Sequence, residues 1–295
     1  MKNFSQDSYL NKFISFLKNF NELVMFQHSI FSLPFIFIAM IVAADGWFGW
    51  FLLAMGALAA VTARNFAMGL NRYADRDIDA KNPRTASRPS VDGRISANAI
   101  LTFTLLNALG FVAIAYFIND LAFYLSVPIL LVLGSYSYFK RFSALAHIIL
   151  GVSLGLAPIA GVVAVQASIP VWSLFLSAGV LFWVAGFDLL YSLQDIDFDK
   201  TAGLHSIPSR FGAKNTFKIA QLFHVLTIVF WYLFVKEAGL DIFAYAAIGF
   251  STLMLAYEHY LVNKDFSKID RAFFTINGYL GIIFIVLIIL DKVVL

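Results

Sequence analysis

Residues 47–70 read WFGWFLLAMGALAAVTARNFAMGL, and the chain continues over 71–79 as NRYADRDID. The first stretch carries one charge, Arg64. A helix needs about 20 apolar residues to cross the hydrocarbon core of a bilayer, so this stretch predicts a membrane span. The second stretch has polar and acidic residues spaced four apart. At about 3.6 residues per turn, Asn71, Asp75 and Asp79 project from one helix face. Arg64 lies seven residues before Asn71, two turns back along that face. An apolar span that runs into a ladder of oxygen-bearing side chains predicts a membrane helix with a charged site at its end.

The rest of the chain fits that reading. Of its 295 residues, 60% are hydrophobic and 13% charged, and mean hydropathy is +0.80. A soluble domain is usually about 45–50% apolar and about 25% charged. Eight further apolar stretches are long enough to span: 24–44, 97–118, 121–139, 145–165, 171–193, 216–235, 242–262 and 272–290. The expected fold is therefore an all-α membrane protein with nine transmembrane helices in a single domain over 1–295. Residues 1–22 are polar and mixed, without the apolar core and small-residue site of a cleaved leader. They read as a lead-in, an amphipathic helix lying on the membrane surface. The absence of Cys excludes disulfides, thiolate chemistry and Cys-ligated metals.

The connections alternate in character. Those at 45–46, 119–120 and 166–170 are short and carry no Lys or Arg, whereas those on the other side are long and basic. Of the 21 Lys and Arg residues, all but Lys236 and Lys292 fall on the side of the N-terminus and the long loops. The positive-inside rule places that side in the cytoplasm and the C-terminus outside. This predicts a multi-pass protein of a bacterial inner membrane. Lys81, Arg94, Lys214, Lys218, Asp77 and Asp92 read as solvated loop charges.

The acidic pattern recurs. Residues 191–199 read YSLQDIDFD, with Asp188 one turn before Tyr191, and Asp195 lies 120 residues after Asp75. Two similar halves facing one cavity are expected. Ionisable groups near membrane depth are costly and mark function. Matched acidic faces repel unless cations lie between them. Carboxylate and amide oxygens suit a hard cation, and Mg2+ typically takes one or two carboxylates plus substrate phosphates. Asn71, Asp75, Asp79, Asp195 and Asp199 are the candidate metal ligands. Arg64, Lys140 and Arg141 are placed to meet phosphate oxygens. Gly151 and Gly155 form a small-xxx-small pair that lets helices approach closely.

Four segments in order carry a resemblance to a known family. Asn71-x-x-x-Asp75-x-x-x-Asp79 resembles the first Asp-rich motif of the UbiA family of intramembrane aromatic prenyltransferases, and Tyr191-x-x-x-Asp195-x-x-x-Asp199 is similar to the second, with Asp188 in the family position. Arg84-Thr-Ala-Ser-Arg88-Pro89 resembles the family's R-T-x-x-R-P run, and Tyr138-Phe-Lys140-Arg141 its Y-x-K-R segment. The resemblance implies a central cavity under a cytoplasmic cap. It also implies Mg2+-dependent transfer of a prenyl chain from a polyprenyl diphosphate to an aromatic acid. It assigns Asp75 and Asp195 to catalysis, Arg84 and Arg88 to diphosphate binding and closure of the cap, and Asp188 and Tyr191 to the region around the allylic carbon. The implied partners are the two substrates and the lipid bilayer, with no nucleic acid and no obligate protein partner.

The acceptor is read from residues 25–34, MFQHSIFSLP. Members acting on 4-hydroxybenzoate commonly carry R-x-x-K-P there, and this segment has neither Arg nor Lys. The pattern looks more like a subgroup associated with menaquinone made by the futalosine route, which implies a dihydroxynaphthoate-type ring and a contact from His28. The alternative is a 4-hydroxybenzoate polyprenyltransferase of ubiquinone biosynthesis. His205 replaces a Lys common in the family. A transporter is the remote alternative, disfavoured because the acids lie at helix ends and not at the membrane midplane.

Overall fold

In a bilayer, backbone N–H and C=O groups find no water, so a spanning chain must satisfy them internally. The chain does so with helices, and among the described residues there is no strand. The computed structural model describes residues 14, 15, 17–25 and 33–294. Residues 17–24 are helical, while most of the expected lead-in, His28 and most of the acceptor segment at 25–34 lie outside the described residues.

The long helices are α1 (Leu33–Ala43), α2 (Trp50–Ala74), α3 (Ala97–Ile118), α4 (Asp120–Phe139), α5 (Ala146–Gln166), α6 (Val171–Tyr191), α7 (Ile207–Glu237), α8 (Ile242–Lys264) and α9 (Asn277–Val294). They fall at the nine positions expected. Seven helical stretches among the described residues, those that contain α2 to α7 and α9, are long and apolar enough to cross a membrane. The count of nine spans is therefore not reached by that measure. Helix α1 has eleven residues, and α8 carries Glu258, His259 and Lys264 in its second half.

Local sequence fixes the helix ends. The side chains of Ser96 and Asn119 cap α3 and α4 by accepting from the N–H groups of Ala99 and Ala122. Ser206 and Ser209 bond reciprocally at the start of α7. Gly212 then breaks that helix at φ 74°, a left-handed conformation that suits glycine.

Helix α6 is the spine. It packs chiefly on α5 and α7, while α2 packs on α3 and α4 and α1 packs on α5 and α9. The α5–α6 approach depends on glycine. A Cβ at Gly151 would collide with the Leu181 carbonyl oxygen, and one at Gly155 would meet that of Ser177. Trp183, Trp231, Phe35, Phe234 and Phe284 fill the centre, fully buried. Trp183 Nε1 donates to Asn277 Oδ1 at 2.7 Å, so its polar edge is satisfied inside the core. Trp50, Leu106, Phe117, Leu131 and Leu253 are exposed, which suits a surface solvated by lipid.

The short connections cluster at one end. Gln166 donates to the Ala43 carbonyl at 2.7 Å, Asn119 donates to that of Val163 at 2.8 Å, and Lys292 pairs with Asp45 at 2.7 Å. The acidic ends of α2 and α6 lie at the other end, with the start of α5 and the end of α4.

Replacing Gly151 with Val should lower the thermal midpoint of the purified protein in detergent. Overpacking of this kind costs about 1–3 kcal/mol. Gly249 has open space around its Cβ position, so Gly249→Ala should leave the midpoint unchanged or raise it slightly. Equal melting of the two variants would contradict the packing described.

Candidate active site

Helix α2 ends at Asp75, whose backbone lies at φ −95°, ψ 6°, and a short helix Arg76–Asp79 follows at once. Helix α6 ends at Tyr191. A 3-10 turn, Ser192–Asp195, leads to a short helix, Ile196–Thr201, with Asp195 at φ −102°, ψ 5°. The same break therefore occurs at the central Asp of each motif, in the sparsely populated bridge region. The backbone bonds Asp75 N–H to Asn71 O and Asp79 N–H to Asp75 O keep the four-residue spacing across the first break. Both acidic faces open on one cavity of about 250 Å3. Its wall includes Asn71, Asp75, Asp79, Arg84, Arg88, Lys140, Asp188, Tyr191, Asp195 and Asp199.

Three of the acids pair with cations of the chain. Lys140 Nζ lies 2.6 Å from Asp75 Oδ2, Arg88 Nη1 2.7 Å from Asp79 Oδ2, and Arg84 binds both oxygens of Asp195 at 3.0 and 2.5 Å. Arg84 also donates to the Tyr191 hydroxyl at 3.4 Å, and its guanidinium lies over that ring. Arg84 and Arg88 belong to the loop after the first motif, so Arg84 ties that loop to the second. Asn71 Nδ2 donates to Asp75 Oδ2 at 2.7 Å, and Asn82 Nδ2 to Asp195 Oδ1 at 3.3 Å. Burial pushes the Asp75 carboxyl above the ordinary carboxylate range, against the pull of Lys140.

Two expected phosphate binders lie elsewhere. Arg141 pairs with Asp77 at 2.9 Å and donates to the Ala74 carbonyl, outside the cavity wall. Arg64 donates to the Met25 carbonyl at 3.2 Å and lines a second, apolar pocket of about 170 Å3 between α1 and α5. Tyr136 and Leu150 line both pockets, so the polar and apolar spaces share a wall. Asp77 is exposed, and Arg94 pairs with Glu22 and Asp92, in keeping with solvated loop charges.

The residues present fit a hard divalent cation. Every candidate ligand offers oxygen, and Asp75 Oδ1 is buried without a hydrogen bond, with Arg141 3.9 Å away. Among the described residues no three His, Cys, Asp or Glu side chains yet enclose one point, because each central acid turns to a cation.

The model of the UbiA prenyltransferase family matches residues 32–288. The chain belongs to that family. It is therefore a prenyltransferase. Among its curated relatives, the 4-hydroxybenzoate octaprenyltransferase of Janthinobacterium sp. (strain Marseille) is 30% identical over 82% of this chain and 85% of the relative. That of Burkholderia vietnamiensis (strain G4 / LMG 22486) is 33% identical over 82% and 83%. The apo structure of a UbiA homologue from Aeropyrum pernix K1 has a TM-score of 0.82 at 31% identity, over 90% of this chain and 98% of that one. A UbiA homologue from Archaeoglobus fulgidus, bound to DMAPP and Mg2+, shares the fold with a TM-score of 0.75 at 21% identity, over 94% and 100%.

Within this UbiA chain the cavity also holds residues that motif reading missed. Asn82 and Arg72 are polar groups beside the first motif, and Arg72 is buried, donating to the Leu23 carbonyl at 3.2 Å. Tyr136 lies one turn before Lys140, a spacing that does place it on that residue's face. His147 pairs with Asp188 at 2.7 Å across 41 residues, and no local spacing signals such a contact.

Asp75→Ala and Asp195→Ala should each abolish turnover while the protein still inserts and elutes as a monodisperse species. Near-normal activity in either variant would remove the acids from the site.

Proposed function

We propose that this cavity transfers a polyprenyl group from its diphosphate to a ring carbon of an aromatic hydroxy acid, with Mg2+ held by Asn71, Asp75, Asp79, Asp195 and Asp199. The observation that carries the reading is the meeting of two acidic helix ends and three cations in one cavity that shares a wall with an apolar pocket. The bound Mg2+ supplies charge neutralisation to the departing diphosphate. Lys140, Arg84 and Arg88, released from their carboxylates, donate to the remaining phosphate oxygens. The isoprenoid tail lies in the apolar pocket, along Met40, Ala63, Phe111 and Leu154. Tyr191 presents electron density to the allylic carbon as positive charge develops. The apolar walls keep out water, which would otherwise take the prenyl group. Arg64, at the apolar pocket, and Arg141, on Asp77, reach phosphate only by leaving these partners.

For the acceptor we favour 4-hydroxybenzoate, on the names of the relatives above 30% identity. That revises the expectation of a dihydroxynaphthoate ring. The second reading keeps support from residues 25–34, which offer no Arg or Lys to an acceptor carboxylate. The excess of Lys and Arg around the acidic helix ends and the N-terminus supports a cytoplasmic position for both.

Purified protein in lipid nanodiscs, given a polyprenyl diphosphate and Mg2+, should release diphosphate and prenylate 4-hydroxybenzoate. EDTA should stop both, and excess Mg2+ should restore them. Prenylation of a dihydroxynaphthoate alone would favour the second reading. Release of diphosphate with neither acceptor would overturn the function.

A further inference from the structure

His147 is the second residue of α5, 7% exposed, and lines the acidic cavity. Its Nδ1 lies 2.7 Å from Asp188 Oδ2, and its Nε2 is buried with no hydrogen-bond partner among the described residues. An ionised carboxylate only accepts, so Nδ1 carries the proton and donates to Asp188. In that tautomer Nε2 keeps a lone pair that meets no donor among the described residues. Of the other carboxylates in the cavity wall, Asp75, Asp79 and Asp195 each accept from a Lys or Arg, and Asp199 accepts from Ser206.

We propose that His147 Nε2 takes the hydroxyl proton of the acceptor ring, with Asp188 as the positioning residue that fixes its tautomer and balances the imidazolium. This rests on the proposed transfer to a phenolic ring. The hydroxyl proton moves to Nε2 as the ring carbon ortho to it bonds to the allylic carbon. The allylic C–O bond breaks and its electron pair leaves with the diphosphate. The hydrogen on the alkylated carbon then leaves as a proton to a diphosphate oxygen, its electron pair restoring the aromatic ring, and the imidazolium returns its proton to the ring oxygen. Protons and charge balance without another reactant. The site thus selects an acceptor with an ionisable hydroxyl beside the reacting carbon.

The test compares 4-hydroxybenzoate with its more acidic 3-fluoro analogue, which keeps one free ortho carbon. His147→Gln can still hydrogen-bond Asp188 but is not a base. Its kcat on 4-hydroxybenzoate should fall about 100-fold or more, with KM for the polyprenyl diphosphate unchanged. Its deficit relative to the wild type should narrow on the fluorinated ring, which gives up its proton more readily. A structural role would leave the deficit equal on both rings. Asp188→Asn, which no longer fixes the tautomer, should show the same narrowing and carries the test if His147→Gln does not fold. A wild-type kcat in His147→Gln, or equal deficits on both rings, overturns the base assignment while leaving prenyl transfer standing. A wild-type protein that prenylates neither 4-hydroxybenzoate nor a dihydroxynaphthoate overturns prenyl transfer itself.

Discussion

Asp75 and Asp195 bring negative charge to one cavity at the end of an apolar bundle, and the cations that hold them shape everything around it. Asp75 is 2% exposed, with Lys140 as its nearest counter-charge. Removing one partner of a buried ion pair commonly costs about 3–5 kcal/mol, because the remaining charge has neither water nor a mate. The acids therefore tie separate elements together. Asp75 holds the end of α4 through Lys140, and Asp79 holds the following loop through Arg88. Asp195 holds that same loop through Arg84, from the other half of the chain. Charge compensation and the joining of the two motifs are one set of contacts.

The same contacts can serve exchange. A diphosphate with a divalent cation offers the acids a metal and offers Lys140, Arg84 and Arg88 an anion, so both sets keep a partner when the internal pairs open. Asp75 Oδ1, buried without a hydrogen bond, gains most from that exchange. Because Arg84 also touches the Tyr191 hydroxyl, movement of its guanidinium toward phosphate would uncover the ring beside which the allylic carbon is proposed to react.

Much of this was legible in the sequence, and the reason is periodicity. Nine helix positions followed from apolar run lengths, and the four-and-four spacing placed Asn71, Asp75 and Asp79 on one wall because helical bonding persists through the break at Asp75. Gly151 and Gly155 of α5 likewise face the backbone of α6. Contacts between distant segments were not legible. Arg141 follows Lys140 directly, yet the turn after α4 sends it to Asp77 while Lys140 reaches Asp75. Arg64 shares the face of Asn71, but two turns of helix carry it toward the apolar pocket and the Met25 carbonyl. The parallel conformations of Asp75 and Asp195 show the repeat more plainly than the residues do, since a backbone break has no fixed sequence signature.

The two halves, alike in their acids, differ in what lies between them. The first half supplies the cationic loop and most of the apolar pocket, while the second supplies Asp188 and Tyr191. His147 stands at the junction, on the helix whose glycines bring the halves together. Its partner Asp188 comes from α6 and its neighbour Leu150 borders both pockets. The tight α5–α6 packing, imposed where Gly151 meets Leu181, thereby sets the position of His147 relative to the acidic cavity. The close approach of two helices and the His147–Asp188 pair, proposed to move a proton, are then parts of a single constraint, and loosening the first would blur the second.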